Sequence, residues 1–282
     1  MNKPSFDIVS PDWNEAPEAT MRLVLEIGDK FLTIVLLNDS GSRLLAIRQY
    51  HIDHSHDRSN ADKILDLLLR DELLQHHNYI TQVIYNYPET DLVPGSVYDI
   101  SILRPLNSYM HGDTGKSLVL SEKLESLNLF NVYRVPGSLH SAVQKKFSSG
   151  KYWHYYSLFL NRNTEKEEGR NSMYLTFYPD RFIIAAFRGT ELLIINSYNY
   201  QTPEDVAYFA LAICNENNFS ASEVILEING LIDEQSALYS EIKKYFVEIR
   251  RGKLPQELDP ANLLDEYPAH YFSPILNLAL CV

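Results

Sequence analysis

Apolar and polar positions along this chain follow two periods in a fixed succession, and the succession occurs twice. Leu23 to Gly28 and Phe31 to Leu37 are apolar runs joined by Gly28-Asp29-Lys30, and Leu44 to His51 follows the turn Asn38-Asp39-Ser40-Gly41. Short apolar runs bounded by Gly, Asn and Asp read as strands, and their near-continuous apolarity is that of a sheet covered on both faces. The period then lengthens. Ser59-Asn60-Ala61-Asp62 sets a hydroxyl three residues before an acid, the start signal of a helix, and Ile64, Leu67 and Leu68 form its apolar face. Val83 to Tyr87 is again a strand, halted at Pro88.

The order returns further along. Thr176 to Phe187 holds a second hairpin around Pro179-Asp180, and Leu192 to Tyr198 is its third strand. Thr202-Pro203-Glu204-Asp205 starts a helix with proline at the favoured first position, and Val206, Phe209, Ala210 and Ile213 make its stripe. Val224 to Ile228 is the fourth strand. Aligning Asp29 with Asp180 also pairs Tyr50 with Tyr198, Ser59 with Thr202 and Val83 with Val224, with loops shortening steadily in the second copy. The chain is therefore α/β, with two duplicated β-β-β-α-β domains.

Beyond the fourth strand the copies diverge. The second proceeds to a helix with Leu238, Ile242, Tyr245 and Phe246 inward and then to Val247-Glu248-Ile249, whose expected counterpart is Val132 to Val135. That match implies an insertion in the first domain, within 88–121. The expected organisation is an N-terminal tail over 1–20, a first domain over 21–163, a charged linker over 164–171, and a second domain with C-terminal segment over 172–282. The apolar end, Tyr267 to Val282, reads as docked on a core or an interface, because a loose tail rarely carries so much apolar area.

Composition narrows the partners. With 282 residues, 45% hydrophobic and 22% charged, the chain is long enough for two cores and too apolar for disorder. A net charge of −12 argues against nucleic acid, whose phosphates need concentrated Lys and Arg. Two cysteines, Cys214 and Cys281, form no disulfide framework or zinc spacing, and both are expected to be buried thiols. The acidic first twenty residues do not read as a signal peptide, and no apolar run reaches the ~18 residues of a membrane span. The reading is a cytoplasmic protein.

Three strands, a helix and a further strand, present twice, resemble the actin-like ATPase superfamily. The runs Tyr200-Gln201-Thr202-Pro203-Glu204-Asp205 and Leu264-Asp265-Glu266-Tyr267-Pro268-Ala269-His270-Tyr271-Phe272 are similar to an uncharacterised bacterial family of that fold. The resemblance implies a nucleotide cleft between the halves, with Asp-x-Gly in each first hairpin, ATP and magnesium as ligands, and a glycine pair on the adenosine side. Here the first hairpin reads Glu26-Ile27-Gly28-Asp29, with a carboxylate where a hydroxyl would face phosphate, and like charges repel there. The second reads Phe177-Tyr178-Pro179-Asp180, and proline has no N–H to offer. The glycine pair reduces to Asn229-Gly230. Catalysis of the superfamily's kind is not expected, and a protein-interaction or scaffold role is. The alternative is nucleotide binding through Gly28, Asp29, Lys30, Asp180, Arg181 and Gly230; ordinary hairpin chemistry explains the same two turns.

Four further signals carry less. Gly112-Asp113-Thr114-Gly115-Lys116-Ser117 imitates the end of a phosphate-binding loop, but Met110 stands where the first glycine belongs. His51 to Asp57 could ligate zinc or nickel, although a polar strand-to-helix loop explains it and no metal site is assigned. Tyr152-Trp153-His154-Tyr155-Tyr156 reads as packing against the other domain. His140 and Ser141 are adjacent without a nucleophile elbow.

Overall fold

The structure, a computed structural model, describes residues 3–14, 20–53, 58–75, 78–113, 115–162, 169–179 and 181–281. The chain divides into two compact units, Met1–Asn161 with Gln256–Leu264 and Ala279–Val282, and Arg162–Pro255 with Asp265–Leu278. Most of the expected linker, and His54 to Asp57 of the histidine cluster, lie outside the described residues.

The first unit runs β1 (Phe6–Val9), β2 (Met21–Gly28), β3 (Phe31–Leu37), β4 (Leu44–His51), α1 (Asn60–Arg70), β5 (Tyr79–Asn86), β6 (Thr90–Pro94), α2 (Leu103–His111), β7 (Ser117–Leu124), β8 (Leu129–Pro136), α3 (Gly137–Lys146), β9 (Lys151–His154) and α4 (Tyr155–Arg162). Six strands form one sheet in the order β1-β4-β3-β2-β5-β9, and β6-β8-β7 form a separate sheet. The second unit runs β10 (Asn171–Phe177), β11 (Arg181–Arg188), β12 (Glu191–Asn199), α5 (Pro203–Glu216), β13 (Ile225–Gly230), α6 (Ala237–Ile242), β14 (Glu248–Arg251) and α7 (Ala269–Ala279), with sheet order β12-β11-β10-β13-β14. Each unit thus repeats the other's sheet, antiparallel through its first three strands and parallel through its last two.

The helix starts match their sequence signals. Ser59 accepts from the Asp62 amide, and Thr202 and Asp205 cap each other's backbone reciprocally. Such a cap is worth ~1 kcal/mol. The cores lie between each sheet and its paired helices. Leu23, Leu25, Ile27, Val83 and Tyr85 pack with Ile64 and Leu139 in the first unit, and Met173, Leu175, Phe177 and Ile228 pack with Val206 and Ile242 in the second.

The structure corrects the sequence reading in five places. Residues 6–9 of the expected tail are a strand, held on β4 from Phe6↔Gln49 to Val9↔Ala46 and by Asp7 on Arg48. Ladder registers shift the hairpin match by one residue: Ile27 faces Leu32 and Phe177 faces Phe182, so Gly28 corresponds to Tyr178 and Asp29 to Pro179. The counterpart of β14 is β9, which takes the same parallel place at the sheet end, while Val132 to Val135 lie in the separate sheet. Of the aromatic run, Tyr152 packs on the first unit's own core, and Tyr155 and Tyr156 are buried. Cys281 is exposed, and only Cys214 is buried.

Candidate functional site

The residues that the superfamily resemblance singles out are placed by hairpin geometry and packing. Gly28 ends β2 opposite Asn86, and a Cβ there would come within 2.7 Å of the Phe31 ring, so glycine lets this ring fold back over the turn. Asp29 is exposed and Lys30 half-buried, and the Lys30 carbonyl accepts from the Ile52 amide at 2.7 Å. The leading acid, Glu26, is buried and takes the Asn86 amide at 2.7 Å. By register its partner position in the second hairpin is Thr176, again not an acid.

In the second unit, Arg181 is buried at the start of β11, with its guanidinium 5.2 Å from the Tyr178 ring centre and 3.4 Å from Ser197 Oγ. Gly230 ends β13 opposite Phe177 at φ +79°, against Phe177 backbone atoms, and the next amide, of Leu231, donates to Phe177 O at 2.9 Å. Gly28, Asp29 and Lys30 therefore share one hairpin, and Arg181 and Gly230 share one sheet end in the other unit. Asp180 lies outside the described residues.

The other sequence signals resolve differently. The Gly112 to Ser117 segment joins a helix to a strand, the reverse of a phosphate-binding loop, and its Gly115 amide is taken by Asp113 at 2.9 Å. His51 Nε2 lies 3.9 Å from Asp53, and no group of three metal-ligating side chains occurs among the described residues. His140 is buried, with Nδ1 2.8 Å from the Tyr85 hydroxyl.

The feature hidden from the sequence is the exposed side of the insertion, which comprises β6, α2, β7 and β8. Its own core is small, with Val93, Leu103 and Val132 buried under Tyr98, Leu106, Val119 and Phe130. Six of the eleven large apolar side chains exposed among the described residues fall in it: Val97, Ile100, Ile102, Tyr109, Met110 and Leu118. Tyr109 is 87% exposed and Ile100 77%. Ile102 and Tyr109 stand seven residues apart, two helical turns, and so share one side of α2. Residues 95–118 carry two acids, Asp99 and Asp113, and two bases, Arg104 and Lys116, leaving no net charge on a chain of −12.

Beneath that surface a buried polar network fastens the insertion to the main sheet. Tyr133 of β8 donates to Glu122 of β7, and the Tyr133 ring lies 4.6 Å from that of His154 on β9. Thr90 donates to Asn131 at 2.6 Å, which donates to Ser157 of α4 at 3.0 Å. His154 Nε2 donates to the Tyr87 carbonyl at 3.1 Å, while its Nδ1 accepts from the Tyr156 amide at 3.2 Å, which fixes a neutral tautomer. Burial pushes the Glu122 carboxyl above the usual glutamate range, against the lowering effect of the Ser157 and Tyr133 hydroxyls. Burial likewise holds the His140 imidazole below the usual histidine range.

Comparison with solved structures gives the fold a name. A Bacteroides thetaiotaomicron protein with an actin-like ATPase fold and unknown function superposes with TM-score 0.72 at 13% identity, covering 86% of this chain and 93% of that one. The PilM–PilN type IV pilus biogenesis complex contains a chain that superposes with TM-score 0.53 at 13% identity, covering 92% of this chain and 97% of that one. At such identities the likeness shows the actin-like ATPase fold alone. None of the curated protein sequences matches the chain significantly. No helix among the described residues is long and apolar enough to cross a membrane. Residues 13–249 match the family described as "Protein of unknown function (DUF3822)", and the chain belongs to that family, whose fold here is actin-like.

Proposed function

We propose that this protein is a non-catalytic, protein-binding member of the actin-like fold, acting in the cytoplasm through the apolar side of its insertion. The observation that carries this reading is the concentration of exposed apolar side chains between Val97 and Leu118 on a segment without net charge. A partner presenting an apolar segment would meet no long-range repulsion there, although the chain as a whole is acidic. The two glycines that would approach phosphate have packing roles instead, and the leading acid of the first hairpin is buried on Asn86. The PilM–PilN complex supports the reading by example, as a protein of this fold joined to another protein.

The test is co-purification from the native source with wild type and with Val97→Ser, Ile100→Ser, Tyr109→Ser combined. The three outer positions contribute little to the small core, so the variant keeps its melting temperature and loses the partner. Retention of the same partner by the variant overturns the surface. A melting shift with Mg-ATP, ~2.7 kcal/mol at a hundred times the dissociation constant, overturns the non-nucleotide reading.

A further inference from the structure

The two units repeat one sheet, yet they treat its outer edge differently. In the first unit the edge strand of the repeat, β4, is covered by β1. In the second unit the matching strand is β12, and among the described residues no strand pairs with its outer side. β12 is nine residues long, and its single charge, Glu191, is at one end. The bulge in its ladder falls near that same end, between Ala186 and Phe187 of the neighbour β11, leaving an even register from Ile194 to Asn199. Those six residues carry no charge and no proline. Edge strands are ordinarily guarded by lysines, prolines, short length or central bulges, and this stretch has none of these guards. The Ser197 amide donates to Oδ1 of Asn196 at 2.8 Å, the local bond an edge N–H takes when no strand lies beside it.

We infer that β12 is a dimerisation edge, paired antiparallel with β12 of a second copy about a two-fold axis. The duplication supplies the chemistry of the occupant: the equivalent edge of the first unit is covered by an antiparallel strand, from Phe6↔Gln49 to Val9↔Ala46. That strand is already engaged on β4, so the second edge is to be covered in trans. An identical β12 matches it in length, and the uncharged stretch from Ile194 to Asn199 brings no like charges opposite each other in a symmetric pairing. Apolar area continues beside the edge. Tyr198 stacks on Phe209 of α5 at 4.1 Å, and Phe209 adjoins Tyr208, which is 68% exposed. Two such tyrosines, one from each copy, would widen the contact beyond the backbone ladder. This inference is independent of the insertion surface, which lies in the other unit.

The experiment is sedimentation equilibrium on the full chain from about 1 to 100 µM. Wild type is expected to be dimeric at the upper end, and Asn196→Lys with Tyr208→Ser to weaken the dimer at least tenfold without changing its melting at low concentration. A bis-maleimide bridge should link Ser197→Cys to its copy in a Cys281→Ser background. A wild-type monomer throughout the range overturns the inference. So does a dimer whose dissociation constant ignores the β12 substitutions, or a dimer that Ser197→Cys does not link. A monomer that instead binds an extended peptide of the sequence of β1 also overturns it, in favour of a foreign strand.

Discussion

Gly230 separates a glycine kept for a ligand from a glycine kept for the backbone. Its φ of +79° is left-handed, a region that costs an L-residue roughly 1–2 kcal/mol. An added Cβ would also stand 2.8 Å from Phe177 N and 3.0 Å from Phe177 C, with the Phe177 carbonyl oxygen nearer still. These atoms are backbone and cannot swing aside. Phe177 is held in the ladder by Phe182 on one side and by the Leu231 amide, at 2.9 Å, on the other. Forcing them apart is an overpacking change worth about 1–3 kcal/mol.

Gly230→Ala is therefore expected to destabilise by ~2–5 kcal/mol, which lowers a melting temperature by on the order of 10 °C. Gly115→Ala is the control, because Gly115 has φ +63° with nothing within 4 Å, so it isolates the conformational part. Urea denaturation of both variants, with no nucleotide present, gives the comparison. If Gly230→Ala is no more damaging than Gly115→Ala, the close-approach argument fails. A ligand role for this glycine would then regain its footing.

Three other outcomes follow from the buried groups. Because folded Glu122 holds its proton to higher pH than the ordinary value of 4.5, the native state binds more protons across that window and stability falls as pH rises through it. Glu122→Gln keeps an acceptor for Tyr133, so it should remove the slope and raise the neutral-pH melting temperature; an unchanged stability–pH curve refutes this. Asp71 receives Arg48 at 2.9 Å, the Tyr50 hydroxyl at 2.6 Å and the Leu73 amide at 2.9 Å, so Asp71→Ala, read by urea denaturation, should cost about 3–5 kcal/mol. A loss under ~1 kcal/mol would show that the remaining partners of Arg48, Asp7 and Glu72, suffice. Cys214 is buried, with its thiol pushed up to about 11, while Cys281 is exposed, so a thiol reagent should titrate one cysteine in the native protein and the second only on unfolding.

Local signals carried the repeat because each is written in a few adjacent residues. The caps at Ser59 and Thr202, the turn at Asn38 to Gly41 and the apolar runs of the paired strands all have that character. What escaped needs partners distant in sequence. β1 and β9 are four residues each, too short to show a period, and they become strands only by lying against β4 and β5. The turn residues of the candidate site were visible, but their work was not. The demand at Gly28 comes from the way the Phe31 ring folds back, and the demand at Gly230 from a carbonyl more than fifty residues earlier in the chain. The exposed side of the insertion was hidden for a related reason, since apolar residues such as Ile100 and Tyr109 look like core until the sheet beneath them is seen to be already filled.

The two copies have been elaborated in opposite ways, and that bears on how the family could act. The first unit has its edge closed by β1 and gains a second sheet fastened by Thr90, Asn131, Ser157, Glu122, Tyr133 and His154. Buried polar groups arranged this way stabilise little beyond an apolar core of equal volume, but a displaced insertion would break the bond from Asn131 to Ser157 of α4 and leave both groups unsatisfied. The network therefore favours one seating of the insertion over others. Among the described residues the second unit has no such additional sheet, and no strand pairs with the outer side of β12. A nucleotide enzyme of duplicated design needs its two hairpins to stay alike, each offering groups to the same phosphates. Here the hairpins have drifted to Glu26-Ile27-Gly28 and Thr176-Phe177-Tyr178, while the strands around them keep their order.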